Sequence, residues 1–215
     1  MSSSSAACAT CSASRHERGG RRLLLGGLFA LGLAATPVAA AEVVTDVNID
    51  GQVIHFELEA VVNATAADVS AILHDYDHLA GVFPLVVSSQ RLDPPHAGVE
   101  RVATRIRGCI LFFCRELSNT LDIREQASGW HRGVSVAAHS DMKFGHFHWR
   151  IDPVDAGHPR TRIRLGGRFQ PELRMPPVIG AGLMRRVIER ELRASVRRVE
   201  EALAAPEAPA GPAPQ

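Results

Sequence analysis

Four groupings of reactive side chains stand out. His74-Asp75-Tyr76-Asp77-His78 crowds two imidazoles, two carboxylates and a phenol into five residues. Such groups can exchange protons if burial moves their pKa values, and His74, Tyr76 and Asp77 are the nearest candidates. Each also has an easier role in capping or turn formation. His139-Ser140-Asp141 holds the residue types of a hydrolase triad. Three consecutive residues do not converge around an exposed nucleophile, and no G-x-S-x-G elbow accompanies them. His146 and His148 share one side of a strand and could share a metal, but Phe147, Trp149 and Ile151 claim the buried face, which leaves both histidines in solvent. No metal, no cofactor and no catalytic residue is assigned. Cys109 and Cys114 flank Ile110-Leu111-Phe112-Phe113 at the expected junction of two strands. A hairpin with a four-residue loop would bring them within disulfide range; the alternative continues one strand through 110–114, with both cysteines as small core residues.

The elements around these residues follow from period and punctuation. Val43–Ile49 and Val53–Val62 read as strands joined at Asp50-Gly51, and Ile54, Phe56, Leu58, Ala60 and Val62 alternate with polar neighbours. Thr65 is an N-cap, with Asp68 three residues on. Val69, Ile72 and Leu73 give the first helix an apolar face. Asp75 or Asp77 can cap a second, through Leu79 and Val82, that stops at Pro84. Strands follow at 85–92, 99–107, 115–125, 130–138, 143–151 and 161–169, separated by turn residues, which implies an antiparallel meander. The last element is a helix over 177–204. Val178, Leu183, Val187, Ile188, Leu192, Val196, Val199 and Leu203 form its apolar stripe, and Glu189 with Arg193 has the favourable i,i+4 order.

Of 215 residues, the first forty-one read as a signal peptide: Arg15, Arg18, Arg21 and Arg22, then apolar Leu23–Ala35, then small residues at Ala39-Ala40-Ala41. Arg21-Arg22 partly matches a twin-arginine signal, so Sec and twin-arginine export both stand, as does retention as an anchor. Cleavage near Ala41 would leave a periplasmic or secreted chain. It would also lower basic residues from 24 to 20 and acidic ones from 23 to 22, near −2 net, which disfavours nucleic acid. Residues 206–215, PEAPAGPAPQ, read as a disordered tail. One domain over 42–205 remains.

The order of elements, with Ala67-Asp68-Val69, Leu73-His74-Asp75-Tyr76-Asp77-His78-Leu79, Phe83-Pro84, Val87-Ser88-Ser89 and the amphipathic helix after Met175-Pro176-Pro177, resembles the START-like superfamily. This is also called the SRPBCC or polyketide cyclase/coenzyme Q-binding superfamily. Ser140–Gly145 followed by Trp149 is similar to its secreted bacterial members. The resemblance implies an α+β helix-grip fold: a curved antiparallel sheet wrapped around a long C-terminal helix, with two short helices closing an apolar cavity. It implies binding or transfer of a hydrophobic small molecule or lipid. Candidate cavity residues are Phe56, Tyr76, Phe83, Val102, Ile106, Leu117, Trp130, Phe147, Trp149, Phe169, Met175 and Met184. A polyketide cyclase/dehydratase-like enzyme is one alternative. An envelope adaptor docking on a membrane or protein through Ile110, Leu111, Phe112 and Phe113 is another. Arg160, Arg162 and Arg164 share one strand face that could attract anionic headgroups or simply be solvated.

Overall fold

The computed structural model describes residues 42–110, 112–155, 157–173 and 179–205. The expected signal peptide and tail, with Leu111, Met175, Pro176 and Pro177, lie outside these residues. Eight strands make one antiparallel sheet: β1 (Glu42–Asp50), β2 (Val53–Val62), β3 (Val86–Leu92), β4 (Glu100–Ile110), β5 (Phe113–Glu125), β6 (His131–Ser135), β7 (Met142–Pro153) and β8 (Thr161–Pro171). Their order is β1-β2-β8-β7-β6-β5-β4-β3, so β2 pairs with β8 and the remaining neighbours are consecutive. Two short helices, α1 (Ala66–Leu73) and α2 (Leu79–Val82), interrupt the chain after β2, and α3 (Ala181–Ala204) is the last described element.

Sequence alternation becomes sheet sidedness. In β2, Ile54, Phe56, Leu58, Ala60 and Val62 are buried while Glu57 and Glu59 are exposed. Burying each of the larger apolar side chains contributes about 1.5–3 kcal/mol. Leu58, Ala60 and Val62 join Val69 of α1, Val82 of α2, Ile163 of β8 and Val196 and Val199 of α3 in one core cluster. Helix and insert therefore share one face of the sheet. Thr161 Oγ1 donates to Ala64 O at 2.7 Å, tying the start of β8 to the turn that leads into α1.

Three local expectations are corrected. First, α3 begins at Ala181 behind Gly180, four residues after Pro177. Ile179 lies just before the cap and Met184 at the fourth helical position, and both pack with Ile54, as a hydrophobic staple does. Second, Arg193 does not pair with Glu189. Glu189 accepts from Arg185 Nε at 2.9 Å, and Arg193 reaches β1, donating to Thr45 Oγ1 at 3.0 Å. Third, neither Asp75 nor Asp77 caps α2. Ser89 Oγ, from β3, accepts the Leu79 N–H at 3.0 Å. Asp75 bonds His78 Nδ1 at 2.8 Å, and Asp77 accepts the Arg91 N–H at 2.7 Å. Arg91 Nη2 donates to His74 O at 2.6 Å, so the turn between the short helices is stitched to β3. Thr65 caps α1, accepting the Asp68 N–H at 3.2 Å.

Candidate functional site

The site grows out of the β4–β5 ladder. Val102, Thr104, Ile106, Gly108 and Ile110 point to one side of β4, directly opposite Leu121, Asn119, Leu117, Arg115 and Phe113 of β5. All ten line one cavity. Its other walls are Ile54, Phe56 and Leu58 of β2, Phe147 and Trp149 of β7, Ile163, Leu165 and Phe169 of β8, and α3 from Met184 to Val199. The volume is about 410 Å³, within the range of small-molecule sites. Val102 and Ile110 both belong to the wall, so the cavity follows about 27 Å of strand at ~3.4 Å per residue.

The two ends differ in construction. At one, Tyr76 and Leu79 pack on Val102 and Ile123, with Phe83, Val86, Leu121 and Trp149 around them. At the other, Ile110 and Phe113 pack against Ile54, Ile179, Met184, Phe169 and Ile188. Phe56, Phe147 and Phe169 form a ring cluster with centroids 5.8–6.4 Å apart. They lie over Gly167, where a Cβ would come within 2.8 Å of both Phe56 and Phe147.

Polar chemistry gathers beneath the insert. Trp149 donates its indole N–H to His74 Nε2 at 3.4 Å, and His74 Nδ1 lies 2.8 Å from Ser70 Oγ. An acceptor Nε2 puts the ring proton on Nδ1, facing Ser70. Burial, then the neighbouring His131, lowers the His74 pKa from the ordinary histidine value. His131 stacks on Trp149 at 5.3 Å and lies 4.4 Å from His74. Tyr76 is buried, and that burial raises its phenol well above the ordinary value of 10. Both nitrogens of His74 are engaged within the protein, and the phenol keeps its proton at neutral pH.

Phe56, Tyr76, Phe83, Val102, Ile106, Leu117, Phe147, Trp149, Phe169 and Met184 line the cavity. Trp130 does not. It immediately precedes β6, in which His131 and Gly133 face inward opposite Trp149 and Phe147, so it turns outward against His148 and Arg164. Met175 lies outside the described residues. Polar wall residues Thr104, Arg115, Asn119, Glu191 and Ser195 escaped the sequence reading, although strict alternation from Val102 and Leu117 would have found the first three.

The other groupings hold the frame. Ser140 Oγ accepts the Thr120 N–H at 2.9 Å and Asp141 Oδ2 accepts the Ser118 N–H at 2.7 Å, which fastens the 3-10 turn Ala137–His139 to β5. His146 and His148 lie on the outer face, His148 3.4 Å from Glu57. Arg160, Arg162 and Arg164 pair with Asp155, Glu59 and Asp152. Burial pushes Asp152 up, but bonds from Arg164 and Arg150 outweigh it and hold the carboxyl below the usual range.

Cys109 and Cys114 are disulfide-bonded, with Cα atoms 4.0 Å apart. They are directly opposed in the ladder on the outer face, and both are exposed. This overturns the reading of them as core residues. The loop is also shorter than expected. Ile110 pairs with Phe113, so both belong to the ladder and not to the loop. Ile110 and Phe113 turn into the cavity wall, and Phe112 is left 84% exposed.

Three solved structures show the same fold. ZhuI aromatase/cyclase from Streptomyces sp. R1128 is 19% identical, covering 70% of this chain and 93% of its own, at a TM-score of 0.51. A START superfamily protein from Mycobacterium smegmatis is 13% identical, covering 69% and 95%, at 0.54. Human StAR-related lipid transfer protein 5 is 10% identical, covering 74% and 85%, at 0.53. No curated protein sequence matches the chain. The family model described as polyketide cyclase / dehydrase and lipid transport matches residues 53–204, and with that match over most of its length the chain belongs to this family.

Proposed function

We propose that the protein is an exported carrier or binding protein for a hydrophobic small molecule or lipid. The observation that carries this reading is the apolar cavity of about 410 Å³ between sheet and α3. A largely apolar wall of that size favours ligands that leave water readily. The cyclase/dehydratase-like alternative would need a base free to act on the contents, and His74 has both nitrogens committed elsewhere.

The test is organic extraction of the purified chain followed by mass spectrometry, with uptake of 1,6-diphenylhexatriene followed by fluorescence. A co-purifying hydrophobic molecule or saturable uptake of the dye is expected. A chain with neither is not a carrier. Export is read from residues 1–41 alone. N-terminal sequencing of the protein recovered from cells should begin near Glu42, and an intact leader in the mature protein would overturn it.

A second reading rests on Phe112, an aromatic ring 84% exposed beside the Cys109–Cys114 bridge. We propose that this tip touches a lipid surface during loading. Phe112→Ser should reduce sedimentation with phosphatidylglycerol-containing vesicles while leaving dye uptake unchanged. Equal sedimentation of both forms would discard the contact.

A further inference from the structure

The geometry points to the Tyr76 hydroxyl as the polar recognition point of the cavity, which assigns the ligand an apolar body ending in an uncharged oxygen, a carbonyl or a hydroxyl. This inference rests on the carrier reading and narrows it. Tyr76 is the chain's single tyrosine and only 3% of it is exposed. Its position is fixed from several sides. Its backbone N–H donates to His74 O at 2.9 Å, the His74 ring meets it edge-on at 5.8 Å, and Arg91 lies over its ring at 5.2 Å. The residue lines the cavity, and its hydroxyl, buried with almost no accessible surface, has no hydrogen-bond partner among the described residues, so a ligand oxygen reaches it by displacing a neighbouring group.

A buried hydroxyl without a partner is a liability that phenylalanine would avoid in the same space. The liability is removed when a bound molecule brings an oxygen to it. Because the phenol stays protonated, it can donate to a carbonyl or exchange bonds with a hydroxyl. A charged headgroup fits poorly. Glu100 and Glu125 act on the phenol as negative charges. The one cation beside it, Arg91, is committed to His74 O, with Asp77 and Glu100 each 3.9 Å away. An anion drawn into this apolar end would lose its hydration without gaining a free partner. A pure hydrocarbon would leave the hydroxyl unsatisfied.

The test uses Tyr76→Phe, which keeps the ring, and 1,6-diphenylhexatriene, a hydrocarbon that cannot hydrogen-bond, as the fluorescent reporter. Dodecan-2-one and dodecan-1-ol are the competitors. Tyr76→Phe should bind the reporter as the wild type does and lose about tenfold in affinity for the ketone and the alcohol, the worth of one hydrogen bond. Without ligand it should melt about 2–4 °C higher, because the unsatisfied group is gone. Equal displacement of the reporter in both proteins overturns the role of Tyr76 and leaves the carrier reading intact. A lower melting temperature also overturns it, since the hydroxyl would then be supporting the fold. A wild-type chain that takes up neither reporter nor ketone overturns the carrier reading itself.

Discussion

The indole N–H of Trp149 and Nε2 of His74 meet at 3.4 Å, which joins the middle of β7 to the end of α1 across the inside of the sheet. A proton on Nε2 would confront that donor, and burial and His131 already hold the His74 pKa below 6.5. The unfolded chain therefore takes up this proton first as pH falls. Stability from this group should be complete above about pH 6.5 and decline below it until the folded pKa is passed. Urea midpoints between pH 8 and pH 5 should fall with acidity, and His74→Gln should flatten that slope. An unchanged slope would remove His74 as the cause.

In the chain without residues 1–41, which carry Cys8 and Cys11, the Cys109–Cys114 bridge should resist iodoacetamide when denatured untreated and take up two labels after reduction. It closes a loop of a few residues, so its loss should cost only about 2 kcal/mol by loop-closure entropy. The Cys109→Ser/Cys114→Ser double variant should fold, with a correspondingly lower denaturant midpoint. Labelling without reductant would show the bridge absent.

Much of this arrangement was legible in the sequence, because alternation and helical period are local signals. Residues 54–62 declared their buried face, Thr65 declared its cap, and the order of elements identified the fold. What was not legible depends on residues distant in sequence. Ser89 caps α2 from ten residues away, and nothing near Leu79 announces it. Trp130 is as apolar as Trp149, and only the register of β6 against β7 sends the two to opposite faces. The loop length at 110–113 depended on whether Ile110 and Phe113 joined the ladder, which their common apolar character could not decide.

Gly167→Ala should be costly although the added group is a single methyl. Its Cβ would sit 2.8 Å from both Phe56 and Phe147, forcing the rings off their positions. About 1–3 kcal/mol of destabilisation is expected, as for other overpacked cores. Dye uptake should also fall as the rings move into the cavity. Denaturant unfolding and fluorescence titration measure the two effects, and a neutral result in both would mean that the ring cluster is loosely packed.

Thr65→Ala removes the α1 cap, in which the Thr65 hydroxyl accepts the Asp68 N–H. A loss of about 1 kcal/mol is expected. Faster hydrogen exchange should be confined to residues 66–73. Exchange spreading through the sheet would show that the insert is not a separately opening unit.

The β4–β5 pairing runs without a register break from Glu100 opposite Ile123 to Ile110 opposite Phe113, with a covalent rung at Cys109–Cys114. The β3–β4 and β7–β8 pairings each contain a shift. In mechanical terms this hairpin is the stiff spar of the molecule. One end bears on Tyr76 through Val102, and the other carries Phe112 into solvent. A push at either end is transmitted along the spar instead of being absorbed by a bulge. The part of the molecule that meets the outside and the part that meets the cargo are thus one ribbon.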